Sequence, residues 1–161
     1  MSLSFRHLVL FVAVTAFAPL AAGCGPSVHA EVPSGFAVIE GGDDFAFRAA
    51  NADGVVLAVR SEANKPHGDL DFWSQTLAKR LATRGYAAEG KARQVQSREG
   101  TKGVLRTFTT SSGGRSHVYW LGVYVTGDDV FVVEATGDAE SIDAPMRARI
   151  ESSIASVGLA G

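Results

Sequence analysis

The sequence predicts an α+β fold in which an antiparallel β-sheet is flanked by two amphipathic helices. Turn signals such as Asp53-Gly54 and Gly113-Gly114 separate short apolar runs, a pattern typical of β-hairpins. Residues 117–126 are apolar on both faces, which predicts a central strand covered on both sides. Residues 70–84 and 143–157 have the spacing of amphipathic helices. Two such helices on one hairpin-built sheet would form an α/β/α sandwich.

Six strands are predicted from apolar runs, several of which alternate in the way that half-buried strands do. Their ranges are 36–40, 45–51, 55–61, 104–110, 117–126 and 130–136. The GGDD segment at 41–44 separates the first two strands. Residues 86–96 fit either an edge strand or a turn, and both interpretations stay open.

The first helix is predicted from one apolar stripe that repeats every three or four positions. The stripe consists of Leu70, Trp73, Leu77 and Leu81. Asp69 or Asp71 can cap the helix by accepting hydrogen bonds from its first free amides. Gly85 is expected to end the helix in the left-handed conformation, with Tyr86 packed back on the last turn.

The second helix is predicted between Asp143 and Val157, with Asp143 as its cap because Pro145 fits only near a helix start. Its buried positions are expected to be Met146, Ile150, Ile154 and Val157. Gly158 is expected to repeat the glycine stop, with Leu159 packed against the helix.

The N-terminus predicts export of the chain. Arg6 precedes an uncharged apolar stretch at 8–20, and small residues follow before Cys24, the single cysteine. A basic start, a short apolar core and a small-residue end are typical of a secretory signal peptide. The apolar stretch is shorter than the roughly 20 residues that a membrane-spanning helix needs. We therefore expect no transmembrane helix.

Two cleavage sites compete. Residues 20–24, LAAGC, resemble the lipobox of bacterial lipoproteins, although Leu20 lies four residues before the cysteine and the family prefers leucine three before. The alternative is ordinary cleavage after Ala30. We favour the lipobox because Cys24 directly follows the apolar core, and because a lone thiol in an exported protein requires an explanation. Gly25 stands where lipoproteins retained at the inner membrane often carry aspartate, which favours the outer membrane and leaves the inner membrane open.

The predicted organisation is a lipoprotein signal peptide at 1–23, a lipid-anchored tether at 24–35 and a single α+β domain at 36–161. Removal of 1–23 takes away one charge, that of Arg6, so the remaining 138 residues would carry a net charge of −3. A net negative chain argues against a nucleic-acid partner, since phosphate binding needs a basic surplus.

Basic residues are concentrated between 79 and 106. One interpretation is a surface for an acidic partner. The other is that solvated faces of both signs neutralise one another after folding, which we favour because charge blocks in sequence need not be patches in space. The candidate partner surface consists of Lys79, Arg80, Arg84, Lys91 and Arg93.

The chain contains none of the short motifs that mark nucleophile elbows, P-loops, zinc peptidases or dinucleotide sites. His67 and His117 are the candidate ligand site, which requires that they meet in space. The simpler interpretation of residues 67–71, HGDLD, is helix capping beside an exposed loop histidine. Four aromatic residues could line an apolar pocket, but we expect most of them to fill the core, with hydroxyl and indole tips at the rim; these are Trp73, Tyr119, Trp120 and Tyr124. We expect no catalytic residue, metal or cofactor.

The order of elements resembles the PsbP-like fold, which includes photosystem subunits, a nuclear-transport factor of the Ran system and bacterial envelope lipoproteins of the DcrB type. The resemblance extends over about 36–159 and is carried by DLDFWSQTLAKRLATRGY (69–86) and VYWLGVYVTGDDVFVVEATG (118–137). Members of that fold generally bind other proteins or have no assigned role, so the resemblance implies a non-enzymatic envelope domain and provides no catalytic residues to transfer.

The sequence therefore predicts a non-catalytic, lipid-anchored protein of the bacterial cell envelope, on the outer membrane facing the periplasm. It would bind or stabilise a protein partner. The alternative is an envelope sensor domain that binds a small molecule or a metal.

Overall fold

The computed structural model describes residues 27–40 and 45–160. The predicted signal peptide, Cys24 and the 41–44 break lie outside these residues. In the described ranges the chain forms nine strands, two α-helices and a short 3-10 helix at Ala139–Ser141. The strands are β1 Ser27–His29, β2 Phe36–Val38, β3 Phe47–Asn51, β4 Val56–Ala63, β5 Ala87–Gln96, β6 Lys102–Ser112, β7 Arg115–Val125, β8 Asp129–Asp138 and β9 Gly158–Ala160. The helices are α1 Leu70–Ala82 and α2 Ala144–Ala155.

Seven strands form one antiparallel sheet in the order β2-β3-β4-β8-β7-β6-β5. Strands of this sheet that follow one another in the chain are neighbours, except β4 and β5: β5 forms the far edge of the sheet, and β8 lies beside β4. β1 and β9 pair separately as a second, two-stranded antiparallel sheet. The ambiguous segment at 86–96 is thus an edge strand of ten residues.

The predicted fold class is wrong, because the chain is mainly β rather than a sheet flanked by two helices in an α/β/α sandwich. Seven strands about 4.8 Å apart span about 29 Å, whereas one helix is only about 10 Å wide. Two helices cannot form complete layers on such a sheet, and β5 is exposed along almost its whole length. The sequence also gave no indication of the second sheet, since its two strands have three residues each.

The two faces of the large sheet carry separate apolar clusters. On one face, α1 packs with its stripe residues against β6, β7 and β8. On the other face, α2 packs against a larger cluster that includes Trp120, Tyr124 and Phe131. β7 contributes alternate residues to both clusters, and this explains why its sequence is apolar on both faces.

The predicted capping of α1 is confirmed at both ends. The Asp69 carboxylate accepts a hydrogen bond of 2.8 Å from the Phe72 amide, and Gly85 adopts a positive φ of 87°. The Tyr86 amide then bonds to the Leu81 carbonyl at 3.2 Å, as in a Schellman cap. The helix itself ends at Ala82, two residues before the predicted end.

The predicted cap of α2 is also confirmed, since the Asp143 carboxylate accepts a hydrogen bond of 2.7 Å from the Met146 amide. The predicted glycine stop is wrong. Gly158 is not among the glycines with a positive φ, and it begins β9, which pairs with β1. Leu159 is buried in the core as expected.

Part of the predicted tether is attached to the domain. Within 24–35, β1 pairs with β9, and Val28 and Ala30 pack against the larger core cluster. The Glu31 carboxylate forms a salt bridge of 2.8 Å with Arg98. The Glu31 carbonyl accepts a hydrogen bond of 3.2 Å from the Ser153 hydroxyl. These contacts hold the segment against α2 and the turn between β5 and β6.

Glu99 links this turn to β9, and we expect acid to weaken the link. Its carboxylate accepts a hydrogen bond of 2.8 Å from the Leu159 amide, which is the main reason that its pKa lies below the ordinary value of 4.5. A lowered pKa contributes stability that is present above pH 4.5 and is lost as the pH falls through the lowered pKa. Exchange protection of the Leu159 amide should therefore fall on acidification.

Hydrogen exchange measured by NMR checks this, with the core amide of Val133 as the internal reference. Glu99→Gln should remove the difference in pH dependence between the two amides. Equal acid sensitivity of Leu159 and Val133 in the unsubstituted protein would contradict the assignment.

Within 27–40 and 45–160, no helix is both long enough and apolar enough to cross a bilayer.

Candidate functional site

A groove of about 570 Å³ lies between α1 and the face of the sheet formed by β4, β8 and β7. It combines an apolar wall with charged groups from both the helix and the sheet. The residues that line it are Arg60, Glu62, Ala63, Lys65, Trp73, Leu77, Arg80, Leu81, Arg84, Tyr86, Tyr119, Leu121, Val130, Val132 and Glu134.

Three polar residues from adjacent strands form the floor of this groove. Glu134 of β8 pairs with Ala58 of β4 and with Leu121 of β7. Arg60 and Tyr119 lie two residues from these partners and therefore point to the same face as Glu134. One Nη atom of Arg60 lies 2.6 Å from both carboxylate oxygens of Glu134. The Tyr119 hydroxyl donates to the same carboxylate.

Tyr119 acts here as a hydrogen-bond donor. Burial raises the pKa of its hydroxyl well above the ordinary range, and the negative charge of Glu134 raises it further. The phenol thus stays protonated at neutral pH, whereas a general base needs a pKa near the working pH. Tyr86 packs edge-on against the Tyr119 ring at 5.3 Å between centroids, which limits the movement of that ring.

The apolar wall is supplied mainly by α1. Trp73, Leu77 and Leu81 are half-buried and face the sheet. The Trp73 indole N–H donates to the Asn64 side-chain oxygen at 2.7 Å. Asn64 is itself buried and also accepts from the Gly68 amide at 2.9 Å. One buried amide side chain thus holds the loop before α1 and fixes the indole.

The rim of the groove has a positive surplus. Arg60 and Glu134 neutralise each other in the floor. The remaining charged lining residues are three cations, Lys65, Arg80 and Arg84, and one carboxylate, that of Glu62. Arg80 lies in the last turn of α1 and Arg84 in the turn that follows Ala82, and both are exposed and line the groove. This arrangement suits an anionic ligand, because guanidinium groups bind carboxylates in a bidentate way.

The structure divides the predicted partner surface between the two faces of the sheet. Arg80 and Arg84 line the groove, and Lys79 is exposed on the same helix outside the lining. Arg93 instead forms a salt bridge of 2.6 Å with Glu151 of α2, on the opposite face. Lys91 lies where the pairing of β5 with β6 is irregular. Two members of the predicted set therefore contribute to one site.

The structure does not bring His67 and His117 together. His67 lies in an exposed loop beside Val125, Thr126 and Gly127, which follow or end β7. His117 lies near the start of β7, where its Nδ1 is 3.1 Å from the Asp138 carboxylate. The eight residue-to-residue steps of strand from His117 to Val125 span about 26 Å. In the described part of the chain, no group of three or more His, Cys, Asp or Glu residues is arranged to hold a metal ion.

The sequence carries one signal for the floor of the groove. Arg60 and Glu134 are the single charged residues within the apolar runs 55–61 and 130–136. A charge on a covered strand needs a partner, because burying an isolated charge is costly.

The four aromatic residues divide between the two predicted roles. Trp73 and Tyr119 line the groove, while Trp120 and Tyr124 are fully buried in the other cluster.

Comparison of the chain with models of known protein families and with curated protein sequences finds no match in either set.

Proposed function

We propose that the chain is a non-catalytic, lipid-anchored protein of the bacterial envelope that binds an acidic segment of a protein partner in the groove under α1. The observation that carries this proposal is the positive surplus of Arg80, Arg84 and Lys65 above a neutral polar floor. The lipid would be carried by Cys24, with the domain on the periplasmic side of the outer membrane.

The contacts of β1 support cleavage before Cys24 rather than after Ala30. Cleavage after Ala30 would remove β1, and with it the pairing with Gly158–Ala160 and the apolar contacts of Val28 and Ala30. A mature protein that begins at Cys24 keeps all of these interactions. Retention of a segment that packs against the core favours the lipobox site.

The shape of the groove supports an acidic peptide segment as ligand. Carboxylates of the segment would pair with the guanidinium groups of Arg80 and Arg84. Its apolar side chains would contact the wall formed by Trp73, Leu77 and Leu81. The floor residues Arg60 and Glu134 are already paired with each other, so they offer a rigid surface to the segment.

Charge reversal tests the proposal. We expect the double substitution R80E/R84E to reduce capture of the partner by in-cell cross-linking about 30-fold. This follows from about 1 kcal/mol for each reversed contact and 1.4 kcal/mol per factor of ten. The cross-linked partner is identified by mass spectrometry and should contain an acidic segment at the cross-link.

Lys79→Glu is the matched control, because Lys79 lies on the same helix but outside the groove. It should leave capture unchanged. Cys24→Ser should move the protein from the membrane to the soluble fraction. Equal capture by R80E/R84E and the Lys79 control would exclude the groove as the binding site, and unchanged membrane retention of Cys24→Ser would exclude the anchor.

A small anionic molecule is the second candidate ligand, because the volume of the groove lies within the range of about 300–1,000 Å³ of ligand pockets. A soluble acidic compound that raises the unfolding temperature of the wild-type protein, and does so less for R80E/R84E, would favour this alternative.

A further inference from the structure

We propose that the membrane surface is a docking partner of the domain, and that the end formed by β1, β9 and the 97–101 turn rests on the lipid headgroups. The inference goes beyond partner binding in the groove, and it rests on the proposed lipidation of Cys24. It assigns one orientation to the domain rather than free movement on a long tether.

The connection between the lipid and the domain is short. Only Gly25 and Pro26 separate Cys24 from Ser27, the first residue of β1. Three consecutive Cα–Cα steps of 3.8 Å span at most about 11 Å. A lipidated Cys24 at the bilayer surface therefore keeps Ser27 within about 11 Å of that surface.

β1 is in turn held by the domain. Its residues pair with β9 from Ser27 opposite Ala160 to His29 opposite Gly158. Val28 and Ala30 contact the core, and the next residue, Glu31, bonds to Arg98 and Ser153. The strand therefore fixes the position of the whole domain relative to the lipidated residue.

The same contacts identify the end of the sheet that faces the bilayer. Arg98 and Glu99 of the 97–101 turn bond to the Val157 carbonyl at 3.1 Å and to the Leu159 amide at 2.8 Å. β6 begins at this turn with Lys102 and ends at Ser112. The ten residue-to-residue steps of strand between these two positions span about 33 Å.

This orientation also sets the height of the groove. Tyr119 in its floor pairs with Phe108 of β6, six residues beyond Lys102, which corresponds to about 20 Å along the strand. The acidic segment of a partner would therefore be bound about 20 Å from the membrane-facing end of the domain. A partner embedded in the same membrane would need an extension of that length to reach the groove.

Energy transfer from a fluorophore on the protein to an acceptor lipid tests the orientation. The full-length chain is expressed with Lys102→Cys or Ser112→Cys, purified from membranes, labelled and reconstituted into phosphatidylethanolamine–phosphatidylglycerol vesicles. Both positions are exposed and lie on the same strand, and a lipidated Cys24 leaves the introduced thiol as the only reactive one. Transfer to headgroup-labelled lipid should be at least twofold more efficient from Lys102→Cys.

A variant with ten Gly/Ser residues inserted between Gly25 and Pro26 is the control. The inserted chain has a mean length of about 18 Å, so the difference between the two positions should decrease. Equal transfer from both positions without the insertion, or greater transfer from Ser112→Cys, would overturn the orientation and leave the anchor intact. Recovery of the unsubstituted protein in the soluble fraction would overturn both the orientation and the lipid anchor.

Discussion

Replacing Phe131 with alanine is expected to lower the free energy of unfolding by about 3–5 kcal/mol, the usual cost of removing a fully buried phenylalanine. Phe131 is 0% exposed and belongs to the larger core cluster beneath α2. It lies on β8 between Ser61 of β4 and Tyr124 of β7. Three central strands would therefore border the cavity, and hydrogen-bonded strands cannot collapse easily to fill it.

Urea denaturation of the purified protein measures this loss as a fall in the midpoint at constant slope. Phe72→Ala is the matched control, because Phe72 is 45% exposed on α1. It should cost about 1 kcal/mol or less, as surface substitutions usually do. Similar losses for the two variants would show that the larger cluster is not the main source of stability.

Gly103→Ala is expected to destabilise the protein by about 1–3 kcal/mol, through overpacking rather than through a cavity. Gly103 of β6 lies opposite Tyr124 of β7. A Cβ atom at this position would clash with the Tyr124 ring and lie 2.9 Å from the Val123 carbonyl oxygen. The ring has no room to move, because Tyr124 is 0% exposed and its hydroxyl donates a hydrogen bond of 2.6 Å to the Ile154 carbonyl.

Thermal or urea unfolding of Gly103→Ala, compared with Gly127→Ala, checks the prediction. Gly127 lies in a turn, and a Cβ there would meet no atom within 4 Å. Its substitution should change the stability by no more than about 0.5 kcal/mol. A stable Gly103→Ala variant would mean that Tyr124 repacks, which the loss of its bond to Ile154 would then reveal.

Because the two core clusters lie on opposite faces of the sheet, a binding defect in the groove can be distinguished from a loss of stability. Phe131, Gly103 and Tyr124 belong to or contact the cluster under α2, whereas Arg80 and Arg84 line the groove under α1. Charge reversal in the groove leaves the cluster under α2 intact, and the loss of favourable cations at the C-terminal end of α1 should cost only about 0.3–1 kcal/mol for each residue. A binding defect of R80E/R84E in a variant that remains folded can then be assigned to the groove itself.

Local sequence patterns predicted the local features well. Asp69 and Asp143 cap their helices, Gly85 ends α1 and the Asp53-Gly54 turn joins β3 to β4, each as the sequence indicated. These features depend on residues within a few positions of one another, where the intrinsic preferences of aspartate and glycine dominate. The edge strand at 86–96 is ambiguous in the sequence because its solvent-exposed residues carry no apolar alternation.

Part of the basic rim of the candidate site could be recognised from the sequence. Arg80 and Arg84 belong to the predicted partner surface. That predicted surface also includes Arg93, which instead forms a salt bridge with α2 on the other face. The floor pair, Arg60 and Glu134, joins residues 74 positions apart. The sequence could show that each charge needed a partner but not which partner the strand order provides.

The sequence by itself determined the helices, the hairpins and the apolar character of β7 on both faces. Only the tertiary structure decided that the sheet is too wide for two helices to layer it, that Gly158 begins a strand, and that His67 and His117 lie at opposite ends of β7. The physical reason is the range of the interactions. Caps and turns are fixed by neighbours in the chain, whereas the pairing of β1 with β9 and of Arg60 with Glu134 is gained only when distant segments meet.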